Sequence, residues 1–425
     1  MTEEFLHYIW RFRLFDLPQD ETEMKIEVIY PGHCNRDAGP DFFDARIRIG
    51  DTLWAGNVEI HIKSSDWFRH GHQHDPAYDS IILHVVYEND VIIKRTGGEP
   101  LPTLELTGKF DGAVFDRYER IVGNLNWVPC QDMIHEVRQI VVRDCYQKAL
   151  LERLETKTDD IRKRIAATGN DWEQVFFEFV AAGMGYKVNS DAFGLLARNA
   201  PLALLQRHRD SRMQLEALLY GQAGLLSTVH KEEYPRELLK EYRFLAGKYK
   251  LRPIAPIAWK FMRMRPSAFP TIRVSQLADL IESNASLFSR AISIRDISAF
   301  YALFRLEASG YWTRYYRFGV PSPVRKKRLG KDAVDILLIN TVLPFLALYG
   351  KERNMPQLIE RSLAFYEQLP PENNRVIRQW RALGIAAESS FESQALLQIK
   401  KHYCDAKKCL YCGIGNDIIG AGGGR

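Results

Sequence analysis

The chain has 425 residues, of which 46% are hydrophobic and 26% are charged. This composition is ordinary for a globular protein, and the length allows two or three domains, each with its own core. The formal net charge of +5 is small against 58 basic and 53 acidic residues, so charge alone does not indicate nucleic-acid binding and any basic patch must be local.

The N-terminal residues and the cysteines bear on the cellular compartment. The start of the chain lacks a basic region followed by a long apolar run, so we expect no signal peptide. No run of about 18 apolar residues occurs, so we expect no membrane span. Six cysteines in a chain of this length do not make a disulfide scaffold. We therefore expect a reducing, cytoplasmic setting in which clustered cysteines bind metal.

Residues 1–128 predict an α+β domain, built from a small mixed β-sheet with flanking helices. Thr2 is placed to cap a helix that runs to about Leu14, because apolar residues follow it at helical spacing. Gly50-Asp51 is a typical hairpin turn between two strands. Alternating or apolar runs predict strands at residues 25–30, 42–49, 53–62, 81–87, 91–95 and 103–106.

Acidic and basic side chains are concentrated in the middle of this domain. Glu59, His61 and Lys63 alternate with apolar residues and therefore share one strand face. Asp41 lies at the start of the preceding strand. Carboxylates on neighbouring strands suit Mg²⁺ or Mn²⁺, and a nearby imidazole or amine can position a water. Two alternatives stay open: Asp44 has the polar phase of that strand and could replace Asp41, or the whole set is a turn and a solvated sheet face.

This stretch resembles the PD-(D/E)XK nuclease superfamily, in which two acids lie on adjacent strands of a small mixed sheet. The resemblance places Asp41 in the first acidic position, Glu59 in the second and His61 in the place of the usual lysine. It implies a restriction-endonuclease-like fold, a Mg²⁺ or Mn²⁺ site and hydrolysis of DNA or RNA. Lys63 would replace the missing lysine, and Glu4 on the first helix would add a third acid.

The segments GPDF, VEIH, SDW and LHVV give the chain a second resemblance, to an uncharacterised bacterial family. This resemblance covers most of the chain and brings no activity with it. If nothing substitutes for the missing lysine, the nuclease resemblance implies instead a nucleic-acid-binding or adaptor protein that retains the fold without cutting.

A group of side chains with lone pairs follows the Glu59 strand. Its members are His70, His72, His74 and Asp75. They are predicted either to line the cleft of the acidic site or to form an ordinary polar loop. A third interpretation is a different hydrolase, in which the histidines hold a transition metal.

Residues 129–395 predict an α-helical domain. Helices are expected at residues 137–154, 171–184, 215–226 and 334–349, with a kink or split in the last at Pro344. One basic stretch interleaves Trp259 and Phe261 with cations, which suits either a nucleic-acid groove or a packed turn. The candidate nucleic-acid contacts are Lys260, Arg263, Arg265 and Arg273.

Residues 396–425 predict a metal-binding knuckle followed by a disordered tail. Cys404, Cys409 and Cys412 have the spacing C-x4-C-x2-C, in which the C-x2-C pair can grip one metal from a tight turn. The missing fourth ligand is either the adjacent His402 or the distant Cys130. Some nucleases of the superfamily resembled above hold a four-iron cluster with a distant cysteine and a C-terminal trio. Zinc and an iron–sulfur cluster both stay open, and the oligomeric state is not indicated.

Overall fold

The computed structural model describes every residue except 18–24, 36–37, 227–230, 256–257, 263 and 421–425. The contacts divide the chain into two units. The first combines Met1–Cys145 with Ile399–Arg425, and the second is Tyr146–Gln398. The first unit is α+β and the second is predominantly helical, which confirms the predicted fold class. Residues 399–420 are part of the sheet unit, whereas the sequence suggested a separate C-terminal segment.

A mixed sheet forms the centre of the first unit. Its strand order is β1-β3-β4-β5-β6, and β2 also pairs with β3. Pairing is antiparallel from β1 through β4 and parallel between β4, β5 and β6. The strands are β1 (Ile26–Tyr30), β2 (His33–Cys34), β3 (Phe42–Ile49), β4 (Thr52–Lys63), β5 (Ile81–Glu88) and β6 (Thr103–Glu105).

The strand predicted at residues 91–95 does not form. Both edges of β5 are already paired, with β4 and with β6, so the segment that follows β5 cannot pair with it. The segment makes only a single bridge, between Lys94 and Pro100.

Most of the remaining chain forms α-helices of varied length. The first part of the chain contains α1 (Glu3–Phe12), α2 (Asp66–Arg69), α3 (Gly112–Gly123) and α4 (Gln139–Ala167). The helical unit continues with α5 (Trp172–Met184), α6 (Tyr186–Asn199), α7 (Leu202–Gln206), α8 (Arg212–Gln222), α9 (Glu233–Tyr249), α10 (Pro270–Ser283), α11 (Leu287–Ser293), α12 (Ile297–Leu303), α13 (Lys331–Leu337), α14 (Leu343–Glu352), α15 (Pro356–Gln368), α16 (Arg375–Ala382) and α17 (Ser390–Ile399), together with the hairpin β7 (Tyr315–Arg317) and β8 (Val320–Pro321). The last helix is α18 (Gly413–Gly420).

Helix α1 begins where the sequence predicts. The Thr2 hydroxyl accepts a hydrogen bond from the Phe5 amide, which satisfies one of the unpaired donors of the first turn. The apolar face of α1 is fully buried, and the helix packs against β4. This packing covers the sheet beside the predicted acidic residues.

Both faces of β4 are covered between Val58 and His61. The apolar side chains of Val58 and Ile60 are buried, as expected for one face. Glu59 and His61 are also buried, at 4% and 1% exposed. The alternative of a solvated sheet face is therefore wrong, and the two polar groups require partners inside the protein.

The helix predicted to kink or split at Pro344 is divided just before that residue by a turn with a different hydrogen-bonding pattern. A π-helical turn at Leu338–Val342 joins α13 to α14, and Pro344 follows directly. Proline lacks an amide hydrogen and crowds the carbonyl four residues earlier, which a wider turn accommodates. The whole stretch Lys331–Glu352 is apolar and long enough to cross a membrane, but 78% of its most apolar window is buried, as in a core helix.

Candidate metal and active site

A polar cluster lies at the start of β3, on β4 and β5, and in the loop that joins these two parallel strands. The parallel register sets Glu59 beside His84, so side chains from β4 and β5 meet on the same side of the sheet. The loop returns over this position through α2 and a short 3₁₀ turn at His72–His74. The site is therefore built from residues that are distant in sequence and fixed by strand pairing.

Asp41 and Glu59 are joined by two reciprocal hydrogen bonds. The Asp41 amide donates to Glu59 Oε2 at 3.2 Å, and the Ile60 amide donates to Asp41 Oδ2 at 2.9 Å. His7 of α1 approaches the same Asp41 oxygen, with Nε2 at 3.3 Å. The two acids thus meet as the nuclease resemblance implies, but three of their four oxygens already have a neighbour in the protein.

Imidazoles surround the second oxygen of Glu59. Oε1 lies 3.2 Å from His72 Nε2 and 3.7 Å from His61 Nε2. His61 Nε2 also lies 3.1 Å from His70 Nδ1. One nitrogen from each of His61, His70 and His72 lies within 4.8 Å of the other two. Nitrogen atoms at this separation can ligate a single ion.

His61 and His84 are neutral near pH 7. Burial, with neighbouring imidazoles, lowers the pKa of His61 to about 2 and that of His84 to about 4. The neutral imidazole is the form that binds metal. His61 Nδ1 lies 2.8 Å from His84 Nε2, which holds the ring so that its other nitrogen faces Glu59 and His70.

The carboxyl of Glu59 has an altered acidity. Burial raises its pKa and the neighbouring Asp41 carboxylate raises it further, while the nearby His72 ring lowers it. Burial lowers the pKa of His7, but Asp41 and the more distant Glu3 and Glu59 outweigh burial and raise it overall. Glu59 is therefore suited to accept a proton, and His7 to carry one beside Asp41.

His72 Nε2 provides a test of whether the site suits a metal. This atom is buried and has no hydrogen bond of acceptable geometry, although the Glu59 oxygen is 3.2 Å away. A buried nitrogen without a partner is costly, and ligation would satisfy it. The donor set of three imidazoles favours Zn²⁺ or Fe²⁺, whereas Mg²⁺ prefers oxygen ligands.

A cavity of about 230 Å³ opens beside His72. Tyr78 stacks on the His72 ring, with centroids 3.8 Å apart, and forms part of its wall. Lys94 and Arg95 line the same cavity, and neither makes an ion pair within the described part of the chain. Lys94 and Arg95 outnumber the single carboxylate in the lining, that of Asp79, so the cavity keeps a positive charge that favours an anionic group.

Several predicted site residues lie outside this cluster. Lys63 is half-exposed and pairs with Glu88 at 2.9 Å, so it does not replace the missing lysine near the acids. His74 is exposed in the 3₁₀ turn. Asp75 caps the next turn by accepting from the Ala77 amide. Glu4 is exposed, and the neighbouring His7 is the residue of α1 that reaches Asp41.

Asp44 is excluded from the site by a β-bulge. The register of β3 against β4 shifts between Phe42 and Ala45, and Asp44 adopts a positive φ of 59°. The extra residue directs Asp44 outwards, where it is exposed and its amide donates to Asn57 Oδ1. The alternation of side chains between the two faces of β3, which made Asp44 an alternative to Asp41 as the acidic site residue, is therefore interrupted at Asp44.

The sequence prediction missed three residues that complete the site. His7 lies in an amphipathic helix, His84 in a continuous apolar strand, and Tyr78 in a polar loop. A polar residue inside the apolar run of β5 was the one available signal, because an imidazole buried on both faces of a sheet needs a partner. The positions of His7 and Tyr78 depend on tertiary packing.

The predicted nucleic-acid contacts fall in different environments. Lys260 and Arg265 are exposed. Arg273 is 4% exposed and donates to Gln276 and to the Tyr186 hydroxyl, so it is not available to a phosphate. Arg263 lies outside the described residues. Trp259 is buried and donates to the Ala223 carbonyl, as in the packed-turn interpretation.

Comparisons with known proteins give a family and no activity. No curated protein matches the chain, and no solved structure matches it, so the nuclease resemblance stays a prediction. One family model matches residues 3–375, a range that contains the acids and the imidazoles of the site. The chain therefore belongs to the family described as protein of unknown function (DUF2851).

Proposed function

We propose that the sheet unit is a metal-dependent phosphodiesterase that acts on nucleic acid, with a transition metal held by His61, His70 and His72 and with Glu59 beside the ion as the proton acceptor. The observation that carries the proposal is the convergence of three imidazole nitrogens within 4.8 Å of one another beside a buried carboxylate. A bound ion would lower the pKa of a water molecule and stabilise charge on a phosphoryl oxygen. We also propose that the protein acts in the cytoplasm.

Side chains of the protein have the remaining roles in hydrolysis. Glu59 contacts the ion site and, with its raised pKa, accepts the proton of the attacking water. Asp41 acts on Glu59 through the reciprocal hydrogen bonds and is a positioning residue. His84 holds the tautomer of His61. His61 itself cannot act as a base, because both of its ring nitrogens face other imidazoles.

The cavity supports a phosphate ester as the substrate class. Its cations, Lys94 and Arg95, would neutralise the phosphate, and His72 lines the same cavity. A volume of about 230 Å³ is below the range of roughly 300–1,000 Å³ found for pockets that enclose whole ligands. The cavity thus fits one end or one unit of a longer chain, which is consistent with a polymeric substrate.

Metal loading tests the ion site. Chelator-treated protein is reloaded with Zn²⁺, Mn²⁺, Fe²⁺ or Mg²⁺, and binding is measured by calorimetry and elemental analysis. We expect one Zn²⁺ or Fe²⁺ per sheet unit in the wild type, lost in a His70→Ala/His72→Ala double variant. His74→Ala is the matched control, because His74 belongs to the same turn and is exposed. Equal loading of the double variant and the wild type would contradict the site.

Hydrolysis tests the activity. A chromogenic phosphodiester and labelled single- and double-stranded DNA and RNA are offered to the loaded enzyme. We expect cutting that Glu59→Gln reduces by at least about a hundredfold, with Lys63→Ala as a control on the same strand. Salt-sensitive binding of nucleic acid without cutting by any loaded form would favour the inactive binding protein instead.

A further inference from the structure

Two groups of residues singled out in the sequence lie outside the site described above: the cysteines and the basic stretches. Cys130, Cys404, Cys409 and Cys412 are buried free thiols. Within the described part of the chain, no three of their sulfurs lie within 4.8 Å of one another, and the metal knuckle stays a prediction. The basic stretches, in contrast, come together in the helical unit.

Positive charge is concentrated in two stretches that contain no acidic residue. Residues 242–278 hold eight basic residues among 37, and residues 308–331 hold seven among 24. The whole chain has a formal charge of +5, so the chain without these fifteen cations has a charge of −10. The small total charge therefore conceals a strongly basic part, and local charge of this kind attracts polyanions.

The two stretches are in contact. The guanidinium of Arg317 on β7 lies over the rings of Phe261 and Phe269, at 4.7 and 5.0 Å from their centroids. The Thr271 hydroxyl donates to the Tyr316 carbonyl at 2.5 Å. Folding thus brings cations of the second stretch beside those of the first.

The chain that follows β7 adds a further cation at the same place. The Ser322 amide donates to the Arg314 carbonyl at 2.7 Å, and the Arg325 amide donates to the Thr313 carbonyl at 2.9 Å. Arg325 is therefore held next to Arg314, although the two are eleven residues apart in the chain.

Some cations of these stretches are already engaged inside the protein. Lys326 and Arg328 both pair with Glu307, at 3.4 and 2.8 Å. Lys327 and Arg273 are buried, at 5% and 4% exposed. Five cations near Phe261 and the β7–β8 hairpin are exposed and make no ion pair among the described residues, and they define the basic surface: Lys260, Arg265, Arg314, Arg317 and Arg325.

Arg317 is well prepared to bind a phosphate. Its contacts with two aromatic rings hold the plane of the guanidinium, whose N–H groups can bind phosphate oxygens two at a time. Because these contacts already order the side chain, less conformational entropy is lost when a ligand binds.

A column of tyrosine rings ends at the same hairpin. Tyr234 stacks on Tyr311 with centroids 4.5 Å apart, and Tyr311 stacks on Tyr315 at 4.3 Å. Tyr315 is half-buried, and no other ring of the described residues stacks on it. Arg314 and Arg317 flank Tyr315 in the chain, so a base could extend the column while the arginines bind the adjoining phosphates.

We propose that the basic surface binds single-stranded nucleic acid, with its arginines on the phosphates and one base stacked on Tyr315. The choice of ligand rests on the proposed function, which the inference extends from the hydrolysed bond to the polymer. An anionic lipid would meet the same charges but has no planar ring to continue the tyrosine column, so the column favours nucleic acid.

Salt-dependent binding tests the cations. Metal-free full-length protein is titrated into labelled single-stranded DNA or RNA, and fluorescence anisotropy is followed at several salt concentrations. We expect Arg314→Gln/Arg317→Gln to weaken binding about tenfold or more, because charged hydrogen bonds are lost. The slope of log K against log[salt] should become shallower by about 1.4, the value for two lost phosphate contacts.

A matched pair of substitutions controls for net charge. Lys326→Gln/Arg328→Gln removes the same two charges from the same stretch, but from side chains that Glu307 already engages. This variant should change the affinity by less than about twofold.

Substitution of Tyr315 tests the stacked base. Tyr315→Leu should weaken binding about tenfold at each salt concentration and leave the salt slope unchanged, because stacking releases no counterions. Tyr315→Phe keeps the face of the ring and should bind like the wild type. Circular dichroism and Tm identify any variant that fails to fold.

Four results would overturn the proposal. The first is a wild type that binds no oligonucleotide at low salt. The second is an equal loss of affinity in the two double variants, which would show only a general effect of charge. The third is a folded Tyr315→Leu variant that binds like the wild type. The fourth is stronger binding to phosphatidylserine vesicles than to oligonucleotides, which would identify a lipid partner instead.

The same variants separate this surface from the proposed hydrolysis. His70→Ala/His72→Ala should bind oligonucleotides like the wild type, because both substitutions lie outside the basic surface. Arg314→Gln/Arg317→Gln should still hydrolyse the small chromogenic phosphodiester. A wild type that binds single strands but cuts nothing would therefore remove the hydrolase and support the surface.

Discussion

The backbone beside Glu59 binds the Asp41 carboxylate, and the backbone of Asp41 binds the Glu59 carboxylate. The two acids are thus fixed relative to each other by strand pairing rather than by a shared ion. This arrangement places both negative charges in a buried site before any metal arrives. A cation entering the site is consequently favoured by charge as well as by its ligands.

The first prediction concerns the charge of Asp41. Because the Asp41 carboxylate raises the pKa of Glu59, Asp41→Asn should lower that pKa. The acidic limb of the pH–rate profile for phosphodiester hydrolysis should therefore move to lower pH, while the Asn carbonyl still accepts from Ile60. Asp44→Asn, an exposed acid on the same strand, should leave the profile unchanged. An unshifted limb in Asp41→Asn would contradict the role of Glu59 as proton acceptor.

The second prediction concerns pH and stability in the metal-free protein. The pKa of His84 falls from 6.5 to about 4 on folding, so the unfolded chain binds a proton in this window while the native state does not. Stability should fall as pH falls from 6.5 towards 4, by at most about 3 kcal/mol from this residue. Urea unfolding measured across this range should show a steeper slope for the wild type than for His84→Gln. Parallel slopes would count against a neutral, buried His84.

The third prediction concerns the cations of the cavity. Lys94→Ala and Arg95→Ala each remove a positive charge without touching the imidazole cluster. We expect KM for a phosphodiester to rise about tenfold with kcat little changed, because a lost charged hydrogen bond is worth at least about 1.4 kcal/mol. Steady-state kinetics check this, with Lys63→Ala as the control cation. An equal loss of kcat would place these residues at the reacting atoms instead.

The fourth prediction concerns packing in the helical unit. A methyl group on Gly221 of α8 would lie 2.0 Å from the ring of Tyr242 on α9. Gly221→Ala should therefore destabilise the protein by about 1–3 kcal/mol through overpacking. Gly247 of α9 has open space around it, so Gly247→Ala should stabilise by about 0.5–1 kcal/mol. Opposite shifts in Tm are the expected result, and two shifts of the same sign would contradict the α8–α9 packing.

Local sequence patterns were sufficient for most of the sheet. β3 begins and ends where its alternation predicts, and Thr2 caps α1. The patterns failed where strand pairing decides the structure, as at residues 91–95, which cannot pair with β5 because both of its edges are taken. They also failed at Asp44, because a bulge inserts one residue into β3. The residues of the strand before the bulge therefore point to the opposite faces from those that simple alternation predicts.

The candidate site was also predicted only in part, because tertiary packing and strand register bring some of its residues together. Asp41, Glu59, His61, His70 and His72 lie close together in sequence and could be identified as a group. The contribution of His7 depends on how α1 packs against the sheet, and that of His84 on the parallel register of β4 and β5.

The insertion of the helical unit between residues 145 and 399 has a consequence for biosynthesis. The first 145 residues leave the ribosome early but lack α18 and the turn before it, so their core stays open while about 250 further residues are translated. The helical unit is the first to have all of its residues available, although it is made second. A nascent chain interrupted before residue 399 would therefore carry a finished helical unit attached to an unfinished sheet.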